Sequence, residues 1–278
     1  MPRPVGLSGL GAAHSREARA DQERTVAMSS VVERSAPTPT AVRARRSVAA
    51  LLQGLVIGLG FVMLVGGFGV IALNYRPYRI PTASMTPTLN PGDTVLASKV
   101  SGGSVGRGDI VVFHEPLWGP DSLVKRVVAV GGDTVACCDV QQRLTVNGKP
   151  IDEPYLQKQL ASLPINFSTK VPPGRLFLLG DDRGNSLDSR SHLGIASGTV
   201  AATDVIARVE GTVWPFARVG MNRRAAAFDS LGGPVVAEPG LLRPAVYAMV
   251  GGSALIVLAS AVGGVLSASR WLRRRQRT

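Results

Sequence analysis

The stretch GDIVVFHEPLWGPDSLVKRVVAVGGD, residues 108–133, holds two short β-branched runs, IVVF and LVKRVVAV, divided by a connection rich in Gly, Pro and Asp. Runs of this length bounded by such residues read as strands. Comparable runs lie on both sides: GDTVLASKV, DTVACC, LTVNG, RLFLLGDD and VIARVEGTVWPF. Asn147-Gly148 is a type I′ hairpin signal that pairs LTV with the segment after it. No stretch between residues 76 and 243 carries a helical period over ten or more positions, so the expected fold class is mainly β, an antiparallel sheet domain. Residues 156–167, with Pro164 among them, read as a variable insertion.

Two apolar runs flank this domain. Residues 47–75 contain no charge, and neither do residues 244–269. About 20 apolar residues cross a bilayer as a helix, and neither run has the polar face of a helix packed on a soluble domain. The chain of 278 residues is only 18% charged, with a mean hydropathy of +0.18, high for a soluble enzyme. Both runs are therefore expected to span a lipid bilayer as transmembrane helices. Residues 1–46, rich in Arg, Ala, Ser and Pro, are expected to be a disordered basic tail, and residues 270–278 a second basic tail. The flanks outside the two spans carry nine basic residues and the flanks facing the domain four. By the positive-inside rule both termini lie in the cytoplasm, residues 76–243 lie outside, and the chain is a multi-pass protein of the plasma membrane. The first run is too long, and begins too far in, for a cleaved signal peptide. Gly54 and Gly58 form a GxxxG pattern within it.

The formal net charge of +12 invites a nucleic-acid reading, but most of the excess sits in the two tails. Between them, eighteen basic residues face fifteen acidic ones, with no basic stretch interleaved with aromatics. No nucleic-acid partner is expected.

The chemistry is narrowed by elimination. His14, His114 and His192 stand apart, without an HExxH or CxxC pattern, so no metal is expected. Cys137 and Cys138 are adjacent and read as two buried or free thiols, with a vicinal or intermolecular disulfide as the alternative. A Ser-His-Asp triad from His114 or His192 stays open, although Gly-x-Ser-x-Gly is absent. Ser122 to Lys125, SLVK, has the SxxK spacing of penicillin-recognising enzymes, without their partner motifs and in a strand-like setting. There remains Ser84, in IPTASMTPTLNPGD just past the first run, with Lys125. Taken singly, a Ser in a Pro-rich loop is a turn residue and a Lys in a strand a solvated or snorkelling one. Together they can form a nucleophile and a base, because desolvation lowers the pKa of a Lys amine by several units.

PTASMTPTL, GDIVVF, KRVVAVGGD and GDDRGNSLDSR occur in that order between residues 80 and 194. Together they resemble the conserved boxes of bacterial type I signal peptidase, the membrane-bound Ser-Lys leader peptidase. The span after the domain is similar to an actinobacterial variant. The resemblance implies a serine endopeptidase that removes signal peptides from exported preproteins after small residues, Ala-x-Ala-like, through an acyl-enzyme and without a cofactor. It makes Ser84 the nucleophile and Lys125 the general base. Thr82 would join the Ser84 backbone N–H in the oxyanion hole, and Ser186 would orient the base. It also implies ionic and structural support from Asp109, Arg126, Asp181, Asp188 and Arg190. Asp182 and Gly184 depart from the family's usual residues. Substrate would dock by strand addition along Arg79, Ile80, Pro81 and Met85 on one side and Ser122, Leu123 and Val124 on the other. Expected partners are signal peptides, the lipid bilayer and the nearby protein-export machinery. The competing expectation is a membrane-anchored β-domain that binds without catalysis.

Overall fold

The computed structural model describes residues 39–100, 105–157, 166–232 and 240–276, with side chains from residue 48 onward. The chain divides into two compact units, Met1–Leu55 and Val56–Thr278. Of the first, the described residues belong to helix α1, Pro39–Asn74. The tail expected to be disordered through residue 46 is thus helical from Pro39, because AVRARR consists largely of good helix formers that extend the apolar segment.

In the second unit the chain turns from α1 directly into β1 (Tyr75–Arg79), followed by β2 (Thr94–Lys99), β3 (Ile110–Phe113) and β4 (Leu123–Val130). Then come β5 (Thr134–Cys137), β6 (Leu144–Val146), β7 (Lys149–Pro150), β8 (Phe167–Lys170) and β9 (Arg175–Leu179). The last strands are β10 (Thr199–Ala201), β11 (Val205–Trp214) and β12 (Gly220–Met221), before helix α2 (Leu242–Arg275). The main sheet has the order β1-β2-β11-β3-β4-β9-β10, with β12 also paired to β11, and a smaller sheet runs β7-β6-β5-β8. Every pair is antiparallel. The fold is mainly antiparallel β, with apolar helices before and after it.

Local chemistry explains most of these elements. In β2 the burial alternates, Val95 and Ala97 inward, as period-2 patterning requires. The hairpin between β6 and β7 turns at Asn147 and Gly148, with φ of 54° and 75°, the positive values a type I′ turn demands. Strand β1 contains Pro77 and, among the described residues, pairs with β2 alone, the edge position in which a missing N–H is tolerated. Three apolar clusters form the core. Ile80, Met85 and Leu89 pack on Val95, Ala97, Ile110 and Val112. Val111, Phe113 and Val127 pack on Leu176, Leu178 and Val200. A third cluster, including Val135, Leu144 and Phe177, joins the small sheet to the large one.

Some expectations are corrected. Tyr75 opens a strand instead of closing a helix, and α2 continues through the basic segment to Arg275. Phe167, assigned to an insertion, begins β8 opposite Cys137; residues 158–165 of that insertion lie outside the described residues. Cys137 and Cys138 are joined as a disulfide instead of remaining free thiols. The chain leaves β5 there, so the alternation that sends neighbouring side chains to opposite faces no longer applies.

The described parts of α1 and α2 include two stretches, Val48–Asn74 and Leu242–Arg275, long and apolar enough to cross a membrane. Within the second unit the two helices approach closely at small residues: Gly60 lies against the Gly252 carbonyl, and Gly67 against the Ala245 carbonyl and Met249. Close contact of this kind needs residues without bulk. Gly252→Leu should therefore lower the melting temperature in detergent, because its side chain would meet the Gly60 carbonyl and the Leu64 backbone. Gly264→Leu, in open space, should leave it unchanged.

Candidate active site

Ser84 sits in the turn after β1, in a segment anchored from below by Ile80 (3% exposed), Met85 (1%) and Leu89 (0%). Apolar burial of these side chains holds the turn against the sheet while Pro81 and Thr82 stay at the surface. Lys125 is the third residue of β4, with Val111 of β3 as its cross-strand partner. Its Nζ lies 2.7 Å from Ser84 Oγ, and Thr82 Oγ1 lies 3.3 Å from the same oxygen. Residues 41 positions apart are thus joined through one hydroxyl.

Lys125 is 3% exposed. Burial pushes its amine down to about 8, against the pull of Asp188 and Asp181 and with some help from the Arg190 charge. Both carboxylates are engaged elsewhere. Asp181 takes a two-pronged contact from Arg126, Nε at 2.8 Å and Nη2 at 2.6 Å, plus the Thr88 hydroxyl at 2.5 Å. Asp188 takes Nε and Nη2 of Arg190 at 2.9 and 2.8 Å and the Gly180 N–H at 3.0 Å. Strand alternation sends Arg126 away from Lys125, where it also donates to the Gly108 carbonyl at 2.9 Å and lies 4.2 Å over the Tyr155 ring. Asp109 accepts the Gly106 N–H at 2.8 Å and fixes the turn into β3.

Ser186 departs from expectation. Among the described residues its buried hydroxyl has no hydrogen-bond partner and makes no bond to Lys125. It packs against Gly180, beside the Ser84 carbonyl. The Asp182 N–H donates to that same carbonyl at 3.1 Å, while Asp182 Oδ1 is buried without a partner among the described residues. The segment after β9 therefore folds back over the Ser84 turn through backbone contacts.

A groove of about 460 Å³ opens at the Ser84 hydroxyl. Arg79, Ile80, Pro81 and Met85 line one side, and Ser122, Leu123 and Val124 the other, so all seven residues expected to contact substrate meet there. Tyr78, Val112 and Asp121 line it as well. Strand β4 pairs with β9 only from Arg126 onward, so among the described residues no strand covers that edge of Leu123–Lys125. SLVK is not helical: Ser122 precedes β4 and the rest lies in it. His192 stacks on Trp118 at 4.2 Å and its Nδ1 lies 2.8 Å from the Asp188 carbonyl, while the contacts of Ser84 Oγ are Lys125 and Thr82. Among the described residues there is no group of three or more His, Cys, Asp or Glu that could hold a metal ion.

The profile of the family described as signal peptidase, peptidase S26, matches residues 51–214. The chain belongs to this family. It is a serine endopeptidase, a hydrolase. A probable signal peptidase I of Mycobacterium leprae is 35% identical over 230 residues, covering 62% of this chain and 77% of that one. The signal peptidase I of Mycobacterium tuberculosis H37Rv is 35% identical over 226 residues, 63% and 74% of the two chains. Signal peptidase I U of Bacillus subtilis is 33% identical over 171 residues, 58% and 88%.

Sequence reasoning missed part of this peptidase's surroundings. Arg183 lies inside the GDDRGNS box but was assigned no role; its Nη1 reaches Glu153 at 2.7 Å, its Nη2 reaches the other Glu153 oxygen at 2.5 Å, and its Nε donates to the Gly180 carbonyl at 3.0 Å. Glu153 and Tyr155, in the loop after β7, carry no motif that would flag them. Thr88 was visible within PTASMTPTL.

Gly180 has no room for a side chain, because a Cβ would collide with the Ser186 hydroxyl and the Ser84 carbonyl. Gly180→Ala should displace the Ser84 turn and reduce peptidase activity by about 100-fold, the scale expected for a misplacement near 1 Å. Circular dichroism alongside the assay would show whether the sheet survives.

Proposed function

We propose that this chain is a membrane-bound type I signal peptidase that cleaves signal peptides from exported preproteins by a Ser-Lys mechanism. The contact of 2.7 Å between a buried amine and the Ser84 hydroxyl, at the floor of an open groove, carries the proposal. With its amine neutral, Lys125 takes the Ser84 proton as Oγ attacks the scissile carbonyl. The Ser84 backbone N–H and the Thr82 hydroxyl stabilise the oxyanion. Lys125 then returns the proton to the leaving amine, and the acyl-enzyme on Ser84 is hydrolysed by a water that Lys125 activates. Ser186, packed at Gly180 beside the Ser84 carbonyl, helps to hold the turn that carries the nucleophile. Asp109, Arg126, Asp181, Asp188 and Arg190 brace this arrangement. No cofactor enters the reaction.

Substrate binds as an extended strand along the open edge of Leu123–Lys125, facing Arg79–Ser84. Ile80, Met85 and Leu123 give the groove an apolar lining, in keeping with an Ala-x-Ala-like cleavage sequence. Both apolar helices cross the plasma membrane with the termini in the cytoplasm and the β domain outside, near the point where the export machinery delivers preproteins. Confinement of enzyme and substrate to one surface raises their effective concentration.

Ser84→Ala and Lys125→Ala should each abolish release of the signal peptide from a preprotein, read by mass spectrometry of both products, while membrane insertion persists. Intact substrate with the wild-type enzyme would refute cleavage and favour a binding module; full activity of Lys125→Ala would remove the base.

The amine must be uncharged to act. Activity should therefore rise with pH through a midpoint near the amine's value of about 8 and be low where the ammonium predominates. A rate maximum at pH 5 would contradict a neutral-Lys mechanism.

A further inference from the structure

A second cavity, of about 350 Å³, lies where the main sheet meets the start of α2. Its charged lining is Asp109, Arg208, Glu210, Arg223, Arg224 and Arg243, four guanidinium groups against two carboxylates. The carboxylates are already satisfied. Glu210 accepts from the Tyr75 hydroxyl at 2.7 Å, the Ser98 hydroxyl at 2.7 Å and Arg208 at 3.1 Å. Asp109 accepts the Gly106 N–H, and burial pushes its carboxyl up, opposed by that bond and by the nearby arginines. Two of the guanidinium groups are differently placed. Among the described residues Arg223 is exposed with no hydrogen bond or ion pair, and Arg243 has a neutral partner, the Tyr247 hydroxyl at 3.2 Å. Arg224 pairs with Asp229, yet its Nε is buried without a partner among the described residues.

The height of this cavity is set by the sequence. Arg243 immediately precedes the uncharged run 244–269, and Tyr247 lies one turn further in and exposed, as aromatic residues do at a membrane surface. Guanidinium groups bind phosphate through paired, charge-assisted hydrogen bonds. At this height the phosphate held permanently within reach is that of a lipid headgroup, and the tether through α2 keeps its local concentration high.

We propose that this cavity binds the headgroup of an anionic phospholipid in the leaflet facing the β domain, with its phosphodiester held between Arg223 and Arg243. The inference rests on the reading of α2 as a membrane span. It adds to the enzyme a lipid site separate from the Ser84 groove, one that ties the start of α2 to the sheet carrying β3 and β11.

The test uses the full chain reconstituted into vesicles of phosphatidylcholine alone or mixed with phosphatidylglycerol, then native mass spectrometry of the released protein to count retained lipid. Wild type should retain phosphatidylglycerol. Arg223→Gln/Arg243→Gln should lose it by about tenfold or more, since each charge-assisted contact is worth roughly that factor. Arg273→Gln/Arg274→Gln, which removes equal charge from the other end of α2, should retain it. Arg223→Gln alone, at an exposed side chain, supplies a variant whose folding is not at stake and should show a partial loss. Equal retention by both double variants would overturn the site. Binding of inorganic phosphate in detergent with the same arginine dependence, and no lipid retained, would overturn the lipid assignment in favour of a free anion. A chain that enters neither vesicle refutes the membrane reading itself, whereas one that enters both and retains no phosphatidylglycerol refutes this inference alone.

Discussion

An ammonium group loses several kcal/mol of hydration when it is buried, and carboxylates placed beside it ordinarily recover that loss by holding the charge. Lys125 is buried next to two carboxylates, Asp181 and Asp188, and its amine is nonetheless pushed down to about 8. Desolvation prevails over both, and the Arg190 charge paired with Asp188 adds to it, while Asp181 is held in its own pair by Arg126. The same pairs solve a second problem. An unpaired carboxylate as buried as Asp181 or Asp188, each 0% exposed, would destabilise the fold, whereas a paired and hydrogen-bonded one does not. A pairing that keeps the domain folded also leaves the amine able to give up its proton at about pH 8.

The sheet economises on elements to build this. Consecutive residues of β4 serve opposite faces: Lys125 turns toward Ser84, and Arg126 toward Asp181 and the Gly108 carbonyl. The late start of the β4–β9 pairing leaves the backbone edge beside Lys125 uncovered. On the proposed mechanism that uncovered edge brings a substrate backbone to the nucleophile, and the apolar floor of Ile80 and Met85 sets the depth available to its side chains. The segment after β9 closes the arrangement from the other side through the Asp182 N–H and the space left at Gly180. Groove, base and ionic bracing therefore draw on β1, β3, β4 and β9 and on the connections that follow β1, β3 and β9, with Glu153 and Tyr155 added from the loop after β7.

The strands with β-branched runs and Gly or Asp boundaries were legible because their signals are local. The short strands β8, β10 and β12, and the Pro-containing β1, were not, since two to five residues carry little periodicity and their pairing is imposed by neighbours. At the site, the ordered boxes pointed to Ser84, Lys125, Thr82 and the Asp and Arg pairs, and the groove-lining residues expected on each side do meet. Ser186 was placed near Ser84 but without the expected hydrogen bond. Glu153 and Tyr155 were invisible because a loop residue that pairs across thirty positions leaves no trace in its own neighbourhood.

What the amino-acid order determined alone is what can be decided within a window: the two uncharged runs, the β character of the region between them, the hairpin at Asn147-Gly148 and the charge of the tails. Hydropathy, turn preference and charge act on adjacent residues, so they survive without knowledge of the fold. Only the tertiary structure decided that Nζ of Lys125 stands 2.7 Å from the Ser84 hydroxyl, that Arg126 and Arg190 close the carboxylates around it, and that arginines from β11, the segment after β12 and α2 line one cavity. Those contacts join residues far apart in the chain, and their distances follow from sheet order and register, which are set by the packing of the whole domain.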